Sequence, residues 1–300
     1  MSGGRSQQPQ ATPVEVRAGL WIAIATFIVW GVMPMYWHAL GDVPPLQIVL
    51  HRAVWCALLV SAWLTISKGR GWLRAVLSQP RLAGMLAISG TLIAFNWSLY
   101  VWSVSTGHVV EASLGYFINP LLNVVIGVLF LRERLSRPQW IAVVMAAVGV
   151  LWLTLSYGSF PWIALSLALS FAFYGLIRKF AAVDPVTGLG VENLIVFLPA
   201  LGFLIWTETH GGGGFFSLRW GGWNDAMLVL GGALTAIPLI GFSYAVRRVS
   251  LTVVGVLQYM SPTIQLLLGV FFFGEAFGPD RAIGFGFIWA RLGGFAADGI

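Results

Sequence analysis

The chain has 300 residues, of which 58% are hydrophobic and 9% charged, against about 25% charged in an ordinary soluble domain. So few charges cannot cover a water-soluble fold, and apolar runs of about 20 residues, long enough to cross a bilayer, recur from Leu20 onward. The single cysteine, Cys56, excludes an intramolecular disulfide framework.

The N-terminal residues 1–16, MSGGRSQQPQATPVEV, are polar and rich in Pro, Gly and Gln, a composition that predicts a disordered cytoplasmic tail. Ten apolar spans follow, bounded by Pro, Gly and charge clusters: Leu20–Trp37, Leu46–Ile66, Leu82–Val104, Ala112–Leu131, Gln139–Leu155, Trp162–Ile177, Gly190–Trp206, Ala226–Val246, Leu251–Phe273 and Arg281–Phe295. The first is read as a retained helix rather than a cleaved signal, because no A-x-A-like site follows it promptly. The GGGG at Gly211–Gly214 reads as a flexible linker turn between the seventh and eighth spans.

The charges sort by side. Thirteen basic residues lie in the N-terminal tail and after the even-numbered spans, among them Lys68, Arg70, Arg74, Arg132, Arg178, Lys179, Arg247 and Arg248; the opposite side has Arg219 and Arg281 alone. By the positive-inside rule both termini face the cytoplasm. The net charge of +6 is therefore topology, and nucleic acid is excluded as a partner.

The second half repeats the first. INPLLNVVIGVLFLRERL (Ile118–Leu135) returns as YMSPTIQLLLGVFFFGEAF (Tyr259–Phe277), with Pro120 and Pro262, Gly127 and Gly269, and Glu133 and Glu275 each 142 positions apart. Spans one to five thus match six to ten. Five being odd, the copies enter the membrane from opposite sides. The expected fold is an all-α integral membrane protein of ten helices in two inverted five-helix repeats, residues 17–157 and 158–300. Such repeats serve alternating access around a midplane site.

Polar residues inside spans cost free energy, about 2.5–3.5 kcal/mol for a charge at the centre, and so mark candidate sites. Arg52 leads, five or six residues into the second span. It can pair with Glu111 at the start of the fourth, meet an anionic group of a substrate, or reach outer phosphates. His51 points elsewhere on the same helix; packing or coupling are its two readings. Glu111 is either a proton-binding partner or a charge favoured by a helix N-terminus. Asn96 and Tyr100 share one face of the third helix. Tyr116, Asn119 and Asn123 lie on the fourth, and Gln258, Ser261 and Gln265 are their counterparts in the other repeat. Matching amides in both halves fit either a cavity lining or bonds between helices. Pro120 and Pro262 each free a carbonyl one turn earlier, placing a kink beside a site or gate.

Small residues at fourfold spacing, Ala142 and Ala146, then Ala282, Gly286, Ala290 and Gly294, allow close helix approach within the bundle or in a homodimer. His38, His51, His108 and His210 fall in unrelated segments and no carboxylate is read at mid-span. No catalytic set, metal site or cofactor is therefore expected; a receptor or structural membrane protein would leave the inverted repeats without a reason.

The motifs HR at His51–Arg52, NW at Asn96–Trp97, GYFINPL at Gly115–Leu121, E-x-L at Glu133–Leu135, LQYMSPTIQ at Leu257–Gln265, GE at Gly274–Glu275 and GFIW at Gly286–Trp289 together resemble the EamA-type drug/metabolite transporter superfamily, and within it the RarD family. The resemblance spans about Gly19 to Phe295 and implies a ten-helix bacterial inner-membrane protein. It would export small metabolites or drugs, proton- or gradient-driven or facilitative, with an association to chloramphenicol sensitivity. It implies no defined substrate, and uptake stays open. Arg291, deep in the last span, departs from the small or apolar residue expected there.

Overall fold

The computed structural model describes residues 12–272 except 42, 107, 158 and 159. Among them are eleven helices and no strand: α1 (Pro13–Ala39), α2 (Pro45–Lys68), α3 (Trp72–Leu77), α4 (Pro80–Ser105), α5 (Val109–Leu129), α6 (Arg137–Tyr157), α7 (Trp162–Phe180), α8 (Pro185–Thr209), α9 (Gly222–Val246), α10 (Leu251–Gln258) and α11 (Met260–Phe271). Eight apolar stretches are long enough to cross a membrane, α10 and α11 together counting as one; α6 holds a shorter apolar stretch, Gln139–Trp152. Large apolar side chains such as Trp63, Leu155 and Phe271 face outward, as lipid contact allows and water would not. The chain is a multi-pass membrane protein. The tenth span, with Glu275, Arg281, Arg291 and the small-residue series from Ala282 to Gly294, lies outside the described residues.

Local chemistry moves several boundaries. The first helix starts at Pro13 rather than Leu20, because T-P-V-E is a capping box. Thr12 Oγ1 accepts the Glu15 N–H at 3.3 Å, Glu15 Oε2 accepts the Thr12 N–H at 2.8 Å, and Pro13 takes the first helical position. Residues 13–16, assigned to the tail by composition, are thus helical. The ninth span is two helices rather than one. Pro262 has no N–H for the carbonyl of Gln258, and the helix breaks at Tyr259, between α10 and α11. Its counterpart Pro120 sits inside a continuous α5. The glycine turn is ordered: Glu208 Oε1 accepts the N–H groups of Gly214 and Phe215, each at 2.8 Å, and Arg219 donates to the Gly211 carbonyl at 3.1 Å.

The helices pack in a crossed pattern. α1 lies on α9 and α11, while α7 lies on α4 and α5; α2 contacts α9 and α8, and α8 contacts α4. Phe27, Leu64, Leu189, Tyr174 and Phe242 belong to the largest buried core. The connections gather on two opposite faces. On one, Gln47 of α2 donates to Thr207 of α8 at 2.9 Å, and the Ile163 N–H of α7 donates to Glu111 of α5 at 2.8 Å. On the other, Lys68 pairs with Asp184 and Arg247 donates to the Val183 carbonyl. This second face carries the loop arginines after α2, α5 and α9.

Candidate functional site

A cavity of about 490 Å³ lies within the bundle, and Leu40, Gly41 and Val43 at the α1–α2 connection are among its lining residues. Both halves of the chain wall it. The substrate candidates Arg52, Asn96, Tyr100, Tyr116, Asn119, Gln258 and Gln265 all line this cavity, and so does Pro262. His51, Glu111 and Pro120 do not.

Arg52 is the sole charged side chain among the described lining residues. Of the alternatives open to it, pairing with Glu111 is not the one seen. Its Nε donates to Thr235 Oγ1 of α9 at 2.9 Å, and its guanidinium lies 4.5 Å from the Trp37 ring and 5.6 Å from that of Trp97. Aromatic faces hold a cation without neutralising it, so the remaining guanidinium N–H groups stay available. Glu111 instead serves the start of two helices: it sits in the first turn of α5 and accepts from the first turn of α7. Both are positive dipole ends.

The amides divide between lining and tying. Asn96 lines the cavity yet donates to the Leu167 carbonyl at 2.8 Å and to Ser170 Oγ at 2.9 Å. Gln265 donates to the Trp30 carbonyl at 3.1 Å. Asn123 is buried beneath the cavity, where it donates to Gln258 Oε1 at 2.7 Å. Asn119 Oδ1 is buried with no hydrogen-bond partner among the described residues. Tyr100 and Tyr116 meet edge-to-face with centroids 6.1 Å apart. His51 is buried, with no hydrogen-bond partner for either ring nitrogen among the described residues, and its ring lies tilted 4.8 Å from that of Phe215 beside the glycine turn; its surroundings are packing.

The floor is aromatic. Trp30 and Phe171 line it, Phe242 lies 5.9 Å from Trp30 and 5.0 Å from Phe171, and Tyr174 stacks on Phe242 at 6.1 Å. At the second face, charged groups cap helix ends. Glu133 accepts the Leu251 and Thr252 N–H groups, each at 2.9 Å, capping α10. Lys179 donates to the Val246 and Val249 carbonyls at 2.8 and 2.9 Å, where α9 ends.

Two charged residues were misplaced by sequence reasoning. Arg178, counted among loop charges, lies in the last turn of α7 and is 1% exposed; Glu192 of α8, also 1% exposed, faces it with Nη1 and Oε1 3.6 Å apart. A buried carboxylate therefore does sit within a span. The signal was the Asp184-Pro185 pair: an N-cap aspartate, accepting the Thr187 N–H at 3.0 Å, followed by proline at the first helical position. It starts α8 at Pro185 instead of Gly190 and carries Glu192 two turns inside. Among the described residues no group of His, Cys, Asp and Glu could hold a metal ion.

Comparison with known proteins agrees with this architecture. A solved crystal structure 20% identical in sequence superposes with a TM-score of 0.70 over 94% of this chain and 99% of its own, which shows a shared fold. Protein RarD of Streptomyces exfoliatus is 44% identical over 93% of this chain and 88% of its own length. An uncharacterized transporter of Vibrio cholerae is 41% identical (95% and 94%), and the chloramphenicol-sensitive protein RarD of Pseudomonas aeruginosa is 31% identical (91% and 92%). Residues 17–155 and 160–291 each match the EamA-like transporter family, and the chain belongs to that family.

Proposed function

We propose that the protein is a secondary transporter of the bacterial inner membrane that exports small molecules by alternating access. Two inverted five-helix repeats, residues 17–157 and 158–300, would form the moving halves. The helix pairings support this reading, because exchanging the halves maps them onto one another. The contacts α1–α9 and α7–α4 are one such pair; α1–α11 and α5–α7 are another, and α2–α9 and α8–α4 a third. By the positive-inside rule, the basic loops on the second face support a cytoplasmic side there, with both termini on it.

The observation that carries the reading is the cavity: it is built from both halves, and Arg52 with several amide and hydroxyl side chains stands among mostly apolar and aromatic lining residues. It has the size and mixed lining of a small-molecule site. Among the described lining residues, one arginine, no carboxylate, and walls of Trp, Tyr and Phe fit a substrate with an aromatic or apolar body and an anionic group directed at Arg52. Asn119 Oδ1 supplies an acceptor for a donor on the same molecule.

The test is transport of a panel of metabolites and amphenicols into or out of proteoliposomes holding the full chain. Arg52→Ala should lower transport of anionic compounds about 10- to 100-fold, the worth of a charge-assisted hydrogen bond, and spare neutral ones. Asn96→Ala should weaken all compounds by a smaller factor. Both variants moving every accepted compound normally would refute the site.

A further inference from the structure

The buried pair beneath the floor is not needed to bind a substrate, and it deepens the transport reading rather than standing apart from it. Glu192 is fixed from several sides. Ser89 of α4 donates to its Oε1, and the Tyr174 hydroxyl of α7 donates to Oε2 at 3.5 Å. α4 approaches so closely that a Cβ on Gly90 would stand 3.1 Å from the Glu192 backbone. Opposite, Arg178 donates through Nε to Ser243 of α9 at 3.0 Å and through Nη2 to the Pro185 carbonyl at 3.1 Å. Its Nη1, nearest the carboxylate, has no hydrogen-bond partner among the described residues. The charged pair therefore joins α4, α7, α8 and α9, and through Tyr174 and Phe242 it reaches Phe171 of the cavity lining.

Few other ionisable groups face it. α7 contributes Tyr174 and Arg178, and its Lys179 is turned to the end of α9. α9 adds Arg247, bonded to the Val183 carbonyl. α2 presents Cys56, which accepts from Asn193 at 3.2 Å, and Lys68, which pairs with Asp184. α4 offers the Ser89 hydroxyl. An arginine keeps its proton in proteins, so only Glu192 can change the charge of the pair.

We propose that Glu192 is a proton-binding site that latches the second face: ionised it holds Arg178 and keeps α4, α7, α8 and α9 together, and protonated it releases them. The surroundings suit both forms. When the carboxylate takes a proton, it keeps a hydrogen-bond partner, because the Tyr174 phenol can accept where it had donated. Arg178, 1% exposed, is then a buried cation without a counter-charge, an arrangement costly enough to favour its leaving Ser243 and the Pro185 carbonyl for water as the helices part. Tyr174 also stacks on Phe242, which packs on Phe171 of the cavity floor, so the state of the latch is felt where a substrate would rest. The ligand is the proton alone, and the pH difference across the membrane is what the site would read.

The experiment uses the full chain, Cys56→Ser, with spin labels on cysteines replacing exposed Ser67 and Arg134 on the second face, in lipid nanodiscs. Their distance distribution is measured at pH 8 and pH 5. The parent should show one distribution at pH 8 and a second, displaced population at pH 5. Glu192→Gln should show the displaced population at both. Ser89→Ala, which keeps both charges, should move the midpoint up by roughly half to one pH unit by removing one hydrogen bond to the anion. A parent insensitive to pH, or a Glu192→Gln variant that responds as the parent does, overturns the latch. If two populations appear but ignore Glu192, alternating access survives and this site falls. If one distribution persists in every variant and at every pH, both fall.

Discussion

At the scale of single residues, the second face depends on space as much as on charge. A Cβ at Gly188 would lie 1.8 Å from Arg178 Nη1, so this glycine is the groove in which the guanidinium rests. Gly188→Ala should destabilise the protein by about 1–3 kcal/mol, as overpacking does, seen as a lowered unfolding temperature in detergent. Gly202→Ala on the same helix meets nothing within 4 Å and should stabilise by about 0.5–1 kcal/mol, because alanine loses less backbone entropy in a helix. Asp184 gives a pH signature. Burial pushes its carboxyl up, but Lys68 and the Thr187 N–H outweigh this and hold it below its ordinary value. A depressed carboxylate stabilises above its unfolded pKa of about 4, and that share is lost as pH falls through the lower folded value. Thermal unfolding measured from pH 6 to pH 3 should therefore decline less steeply in Asp184→Asn than in the parent.

At the scale of elements, the ends of helices decide more than their middles. Glu133 takes two backbone N–H groups of α10 and the Thr252 hydroxyl at 2.7 Å, while Lys179 takes the carbonyls that close α9. Glu133→Ala should cost about 1–2 kcal/mol, the range of a lost helix cap, and should raise hydrogen exchange of the Leu251 and Thr252 amides before that of α5. The spans and the proline break were readable because apolar length and a missing N–H are local properties. The cap at Thr12 and the start of α8 were equally local and were passed over for the apolar run alone. What Glu133 does was not readable from its own neighbourhood: its partners lie 118 and 119 positions away. The sequence could mark it as half of a recurring motif, but its role is a long-range contact with the start of α10.

At the scale of the whole molecule, seven amide, hydroxyl and guanidinium side chains selected as polar residues in apolar runs do converge on one cavity. Polarity inside a span is expensive wherever it occurs, so the candidate list followed from energetics without a map of contacts. The same rule could not tell lining from tying. Asn96 does both, and Asn123 and Gln258 spend their bond on each other. It left open whether Arg52 pairs with Glu111, which serves helix N-termini instead. The Arg178–Glu192 pair escaped because the two residues fall on either side of a loop whose boundary was drawn five residues late.

The way Glu133 is used bears on how such a chain could have been assembled. An acid from the N-terminal unit completes a helix in the C-terminal unit, so neither half is finished alone. If the gene were cut in the connection between α6 and α7, each product expressed singly should be degraded, while the two made in one cell should be recovered as a noncovalent dimer of fragments on affinity purification.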